Sequence, residues 1–352
     1  MRKLLLSPVL SFLCAALIAA PALDACTTFC LREGGPVFGK NYDWGVGDGL
    51  LVVNKRGVVK TAMPSPGQRP ASWVSKYGSV TFNQYGREFP NGGMNEAGLV
   101  VELMWLADTR YPAPDARPAL DCLEWIQYQL DRFERVQDVV RHAEEVRIDS
   151  DAPLHYLVCD RTGTCATIEY LDGKLVPHTG RDLPVPALTN STYAESLRFL
   201  EATSANQAPA GRGSLERFAR ASNLLKDDGS KSRKTPVEHA FDILDSVAQG
   251  SFTQWSIVYD MRAKRVHYRT RVNRQVRWID LAAFDFACGT PVRTLDIDAG
   301  AGDMGRRFAP YRLETNRHLI DRSFQKTDFL AGTPAAERAA YAAHPDSTSC
   351  RR

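Results

Sequence analysis

Ala22-Leu23-Asp24-Ala25-Cys26-Thr27-Thr28-Phe29-Cys30, with Gly39-Lys40-Asn41-Tyr42-Asp43-Trp44 behind it, is the stretch on which the reading of this chain turns. Upstream, Arg2-Lys3 leads into an apolar run over residues 4–20 that ends among small residues. A basic start, an apolar core and small residues near a cut are the layout of a secretory signal. Ser7, Pro8 and Ser11 interrupt the run and no basic stop-transfer flank follows it, so export with cleavage is expected rather than a membrane span. A leader over residues 1–25 would leave Cys26 as the first residue of the mature chain, in the periplasm or the medium. Ala20-Pro21-Ala22 fits the small-x-small cleavage pattern better than Leu23-Asp24-Ala25. Residues 23–25 would then form a short propeptide that Cys26 removes itself.

A terminal cysteine holds a nucleophile and a base in one residue. The free thiol titrates near about 8.5 and the α-amine near about 7.7–8.0, so part of the amine is free near neutral pH to take the thiol proton. The ammonium so formed favours the thiolate beside it, and the thiolate is the reactive species. Such a residue suits attack on an amide carbonyl, passage through a thioester and hydrolysis, with no cofactor or metal. Leu23-Asp24-Ala25-Cys26 also resembles a lipoprotein signal, in which the sulfur would carry a lipid and the chain would bind a membrane. Asp24 is out of place in such a box, where small or apolar side chains are usual.

The formal charge of +3 is small, and Lys231, Arg233 and Lys234 make too short a basic cluster to suggest a nucleic-acid partner. Of the eight cysteines, Cys14 leaves with the leader, and an odd number remains. In an exported chain that count suggests pairing with one thiol left over, which would be Cys26. The other six have no unique pairing from sequence. Cys159 and Cys165 alone have local support, because they flank the turn-like Asp160-Arg161-Thr162-Gly163-Thr164 between two strand-like runs. No C-x-x-C or paired-histidine spacing favours a metal there.

Between Cys26 and Trp105, runs at 26–31, 37–40, 50–53, 73–82 and 99–105 read as strands, separated by glycine turns that include Asn91-Gly92-Gly93. Gly45-Val46-Gly47-Asp48-Gly49 lacks the residues of a phosphate loop and reads as an ordinary loop. Helical spacing follows over 122–133 and 136–146. Strands return at 154–159, 165–170, 174–177 and 187–189, then helices at 193–201 and 215–225. Thr235-Pro236-Val237-Glu238 has the form of a capping box and opens a helix to about residue 249. Closing strands are expected at 256–260, 265–270 and 276–280. Residues 295–313 read as loop and 335–343 as an alanine-rich helix.

With these pieces assembled, the chain resembles the choloylglycine hydrolase family, which holds bile salt hydrolases and penicillin V acylases. The resemblance rests on Cys26-Thr27, Gly39-Lys40-Asn41-Tyr42-Asp43-Trp44, Gly93-Met94-Asn95-Glu96-Ala97-Gly98-Leu99, Leu188-Thr189-Asn190-Ser191 and Arg217-Phe218-Ala219-Arg220-Ala221, in the family's order. It runs from Cys26 to roughly Asp280 and implies an α+β fold, the four-layer αββα sandwich of N-terminal-nucleophile hydrolases; the chain is divided accordingly into a catalytic domain over 26–289 and an extension over 290–352 that lies beyond the resemblance. Cys288 and Cys350 are candidates to staple that extension to the domain. The resemblance further implies that Cys26 is nucleophile and base, that Asp43 holds the amine over the thiol, and that Asn190 offers an N–H to the oxyanion. Arg217 would support the site or meet a substrate carbonyl or carboxylate, and Trp44 would line an acyl pocket.

Two positions depart from the family pattern. Arginine is common where Lys40 stands, and lysine cannot make a planar two-pronged contact, although it still stabilises a thiolate. Bile salt hydrolases commonly carry asparagine near Trp105, which here would wall an acyl pocket or supply an indole or backbone donor. The substrate classes implied are penicillin V, N-acyl homoserine lactones and conjugated bile acids, with the first two favoured by Trp105 and by export. An acyltransferase passing the same thioester to an amine is the related alternative, and association into a homo-oligomer is left open.

Overall fold

The computed structural model describes residues 26–32, 34–203, 210–226 and 234–351. The leader, the 23–25 propeptide, Lys231 and Arg233 lie outside the described residues. Its organising unit is an antiparallel hairpin of Thr27–Leu31 and Val37–Asp43, both buried throughout, with Thr27 opposite Asn41. Pairing in that register brings the start of the first strand against the end of the second. Cys26 therefore meets Asp43 although 17 residues separate them.

The hairpin lies within a seven-stranded sheet that runs Ala187–Leu188, Thr27–Leu31, Val37–Asp43, Thr253–Asp260, Arg265–Thr270, Arg277–Asp280 and Gly302–Asp303. Facing it is a nine-stranded sheet whose central members are Leu154–Cys159, Val100–Trp105, Gly92–Asn95, Ser79–Asn83 and Leu50–Asn54. Helices Ser214–Leu225 and Pro236–Ser246 cover the outer face of the first sheet, and Cys122–Arg132 and Val136–His142 that of the second. The order helix, sheet, sheet, helix is the four-layer sandwich expected. The central strands of both sheets are buried on both faces, whereas Arg265–Thr270 and Arg277–Asp280 nearer one edge alternate between buried and half-buried positions.

Most elements fall where the pattern puts them, and the exceptions have physical causes. The run 73–82 is two strands, Ser72–Val74 and Ser79–Asn83, in different sheets. Gly92-Gly93 is not a turn but the start of strand Gly92–Asn95. A Cβ on Gly92 would come within 2.2 Å of the Glu102 carboxyl carbon on the neighbouring strand, so the missing side chain makes room for a buried acid. Helix Val136–His142 stops short of residue 146, and Pro236–Ser246 stops short of 249. The capping box at Thr235 is present, with the Thr235 side chain accepting from the Glu238 N–H and the Glu238 carboxylate from the Thr235 N–H.

The stretch read as loop over 295–313 contributes strand Arg293–Asp296, which pairs with Leu50–Asn54, and the short strands Gly302–Asp303 and Ala309–Pro310. Helix Leu313–Lys326 follows, unmarked by a side-chain cap; its buried stripe is Asn316, Leu319, Ile320, Ser323 and Phe324, in which two polar residues blur the apolar period. Disulfides join Cys159 to Cys165, directly opposite on paired strands, and Cys288 to Cys350. Cys30 and Cys122 are buried free thiols alongside Cys26, which corrects the expectation that every other cysteine is paired. Among the described residues no helix is long and apolar enough to cross a membrane.

Candidate active site

Cys26 sits at the mouth of the first strand, with 2 % of its surface exposed. Its thiol lies 3.9 Å from the Asp43 carbonyl oxygen. Burial pushes the Cys26 thiol up; the neighbouring Lys40 ammonium pulls it back and the Asp43 charge adds to the rise. Lys40 and Tyr42 project toward the facing sheet: Lys40 Nζ donates to the Leu103 carbonyl and lies 3.9 Å from Glu102, and the Tyr42 hydroxyl donates to Gln84 at 2.8 Å, while the Tyr42 ring stacks on Trp255 of the neighbouring strand. Asn41, on the opposite side of the strand, donates to the Leu244 carbonyl in the helical layer at 2.7 Å.

The Asp43 carboxylate is fully buried. Its Oδ1 accepts from the Thr253 hydroxyl, while Oδ2 has no hydrogen-bond partner among the described residues. Burial raises its pKa to about 7 against the opposing pull of the Thr253 hydroxyl, Arg217 and Lys40. Thr253 reaches this position because strand Thr253–Asp260 shifts register between Thr253 and Trp255 opposite Asp43 and Tyr42. A bulge of this kind re-aims side chains beside a site.

Arg217 enters from helix Ser214–Leu225 and is only 1 % exposed. Its Nη1 donates to the Cys26 carbonyl at 2.6 Å and the Thr27 hydroxyl at 2.7 Å, its Nη2 to Asn190 Oδ1 at 2.9 Å, and its Nε to the Arg212 carbonyl at 3.3 Å. These bonds commit the guanidinium to the protein, so of the two expected uses the geometry favours support over contact with substrate. Asn190 is held on three sides. Ser214 Oγ accepts from its backbone N–H at 2.9 Å, Arg217 fixes its side-chain oxygen, and its Nδ2 donates to the Trp105 carbonyl at 2.9 Å. An amide nitrogen carries two hydrogens, and the second Asn190 N–H makes no hydrogen bond among the described residues.

The two tryptophans come together. Their ring centroids lie 5.9 Å apart, and both indoles are partly exposed. The arrangement thus gathers Cys26, Asp43, Lys40, Asn190, Arg217, Trp44 and Trp105 into one neighbourhood. Sequence reasoning missed the residues behind them. Glu102 accepts from the Tyr259 hydroxyl and faces Lys40; burial raises its pKa to about 7, opposed by Lys40 and the tyrosine. His155 bridges Glu169 at 3.1 Å and the Thr189 carbonyl at 2.7 Å, propping the segment that carries Asn190. Gln84 accepts from the Tyr42 hydroxyl at 2.8 Å and donates to the Val46 carbonyl at 2.7 Å, fixing the loop after Trp44. These are polar residues within strands or loops, and only their paired burial marks them.

Two facing sheets between helical layers, with a cysteine opening the first strand, define an amide hydrolase of the N-terminal-nucleophile class. The chain belongs to the linear amide C–N hydrolases of the choloylglycine hydrolase family, whose model matches residues 26–210. It is 29% identical to the penicillin V acylase of Pectobacterium atrosepticum over 267 residues, covering 63% of this chain and 70% of that protein. Among solved structures it is similar to the penicillin V acylase from Agrobacterium tumefaciens, with 28% identity, a TM-score of 0.73, and coverage of 82% of this chain and 98% of that one. A variant conjugated bile acid hydrolase from Clostridium perfringens shares the fold at 20% identity and a TM-score of 0.65, over 77% of this chain and 97% of that one.

Proposed function

We propose that this chain is an exported acylase in which Cys26, once it is the first residue, attacks a linear amide and carries the acyl group as a thioester. The observation that carries this reading is the position of Cys26 among Asp43, Lys40, Asn190 and Arg217, with one buried oxygen of Asp43 lacking a hydrogen-bond partner among the described residues. A buried acceptor of that kind is costly unless satisfied. An α-ammonium on Cys26 is the donor it would take.

In the proposed sequence, the neutral amine accepts the thiol proton and sulfur attacks the carbonyl carbon. The carbonyl electrons move to oxygen, where the free Asn190 N–H donates to the oxyanion, a contact whose loss commonly costs roughly 100- to 1,000-fold in rate. As the C–N bond breaks, the ammonium returns its proton to the departing amine. Water then attacks the thioester with the α-amine again as base, and the acid leaves with the thiol restored.

Penicillin V-like and N-acyl homoserine lactone-like amides are the favoured substrates. The aromatic pair Trp44 and Trp105 supports an apolar acyl group, and the periplasm or medium is the compartment this reading assigns. Intact mass and N-terminal sequencing of the exported protein test it first. An unmodified chain beginning at Cys26, and an added acyl mass on that residue after brief exposure to substrate, are the expected results. A chain retaining residues 23–25, a diacylglyceryl mass, or amide cleavage that survives Cys26→Ser would end the thioester reading.

A further inference from the structure

Alternate residues of a strand share a face, so Cys30 points to the same side of Thr27–Leu31 as Thr28. Thr28 shows which side that is, because its hydroxyl lies 3.4 Å from Met104 Sδ on the facing sheet. Cys30 therefore looks across the sandwich, where its strand packs against Leu154–Cys159. At the end of that second strand the Cys159–Cys165 disulfide closes the turn over residues 160–164. Arg32, just past Leu31, donates from Nε to the Gly163 carbonyl in the same turn at 3.2 Å, which fastens the end of the first strand to the disulfide's hairpin.

The three sulfurs of Cys30, Cys159 and Cys165 consequently lie within 4.8 Å of one another. Each of the three residues is no more than 1% exposed. Two of the sulfurs are already bonded to each other, so the trio is a thiol beside a disulfide rather than three open ligands for a metal. A thiolate attacks a disulfide sulfur, and holding the two together replaces a bimolecular encounter with an intramolecular one. Burial pushes the Cys30 thiol up to about 12, with Arg32 opposing and Asp160 adding. Near neutral pH the thiol is therefore protonated and the native pairing is kept.

We propose that Cys30, Cys159 and Cys165 form an internal disulfide-exchange site, in which Cys30 is the resolving thiol for either member of the native bond. The Cys30 thiolate bonds to one sulfur as the Cys159–Cys165 bond breaks, and the displaced sulfur leaves as a thiolate and takes the proton that Cys30 gave up. One S–S bond forms and one breaks, with no net oxidation. Exchange converts a link within one sheet into a link between the two, tied to the strand that follows Cys26.

Removing one native partner tests the site. In Cys165→Ser, Cys159 loses its partner; exposed to glutathione disulfide, the folded protein should lose two hydrogens and join Cys30 to Cys159 as the reagent is reduced to two glutathione molecules. Cys159→Ser should likewise join Cys30 to Cys165. Peptide mapping without reductant reads the pairing, and maleimide added after acid quench and unfolding reads the free thiols. Cys122 is the control: it is nearer than Cys30 to Cys159 along the chain, so an unfolded chain favours it by loop length, whereas in the fold its sulfur sits 3.1 Å from the Ser150 hydroxyl oxygen. Wild type held in mildly alkaline buffer should show maleimide moving from Cys30 to Cys159 or Cys165 in part of the population, and Cys30→Ser should keep the native pairing throughout.

A lasting glutathione adduct on Cys159, both thiols left free in the variants, capture of Cys159 by Cys122, or a wild type in which Cys30 alone of the three takes the label would overturn the exchange site. If one variant unfolds before exposure, the other variant and the wild-type map decide the question. Amide cleavage enters none of these measurements, so the exchange site and the thioester reading stand or fall separately.

Discussion

Lys40 is the cation that opposes the burial of both Cys26 and Glu102. The Cys26 thiol is driven up by burial and drawn back by Lys40, so Lys40→Met should raise it further. Iodoacetamide labelling of Cys26 at pH 8, followed by peptide mass, should then slow, because less of the thiol is thiolate. Unchanged labelling would remove Lys40 from the nucleophile's environment. Cys30 serves as an internal control, because burial holds its thiol up to about 12. Behind Lys40, Glu102 is raised from 4.5 to about 7, chiefly by burial. An acid whose folded-state value is raised contributes stability that is fully present below its unfolded value and is lost as pH rises through the folded one. Urea unfolding of wild type should therefore lose up to on the order of 3 kcal/mol between about pH 4.5 and 7 relative to Glu102→Gln, the energy that a shift of that size represents. A difference independent of pH would show that the carboxyl is already charged below this window. Neither effect is visible in the chain order, since Glu102 reads there as a polar residue inside an apolar strand and Gly92, which makes room for it, reads as a turn.

At the scale of elements, the site depends on helices that fix the hairpin from behind. Pro236–Ser246 begins at the Thr235 capping box and supplies the Leu244 carbonyl that holds Asn41 between Lys40 and Tyr42. Thr235→Ala should lower stability by roughly 0.5–2 kcal/mol, seen as an earlier thermal transition; an unchanged melt would mean that packing alone sets this helix end. Helix Leu313–Lys326 is fastened to the Trp44 loop through Asp48. These pairs are partly exposed, so Asp48→Asn is expected to leave the melt within about 1 kcal/mol of wild type, with a KM increase for aryl amides that high salt reproduces in the wild type. A fall in kcat without a change in KM would contradict a role in acyl-group binding. The capping box is legible because both partners lie within four residues. The Asp48 pairs are not, because 278 residues separate Asp48 from Lys326.

For the whole molecule, the segment after residue 289 adds strands to both central sheets and is closed by the Cys288–Cys350 disulfide across a separation of 62 residues. Replacing both cysteines with serine should cost roughly 2–4 kcal/mol in unfolding free energy, and an unaltered denaturation midpoint would mean that the strand pairings hold the segment unaided. The sequence by itself determined what depends on near neighbours: the strands at 26–31 and 37–40 around Gly34-Gly35, the helix begun at Cys122, the Thr235 cap, and the pairing of Cys159 with Cys165 across one turn. It also carried the family, because ordered short motifs survive in the chain order. Tertiary structure alone decided that Arg217 is buried against the Cys26 carbonyl, that Glu102 faces Lys40, that Cys30 and Cys122 stay unpaired, and that Phe329 reaches the two tryptophans. Local periodicity records which face of an element is apolar. Which distant element covers that face, and which buried charges meet across it, is settled only when the layers pack.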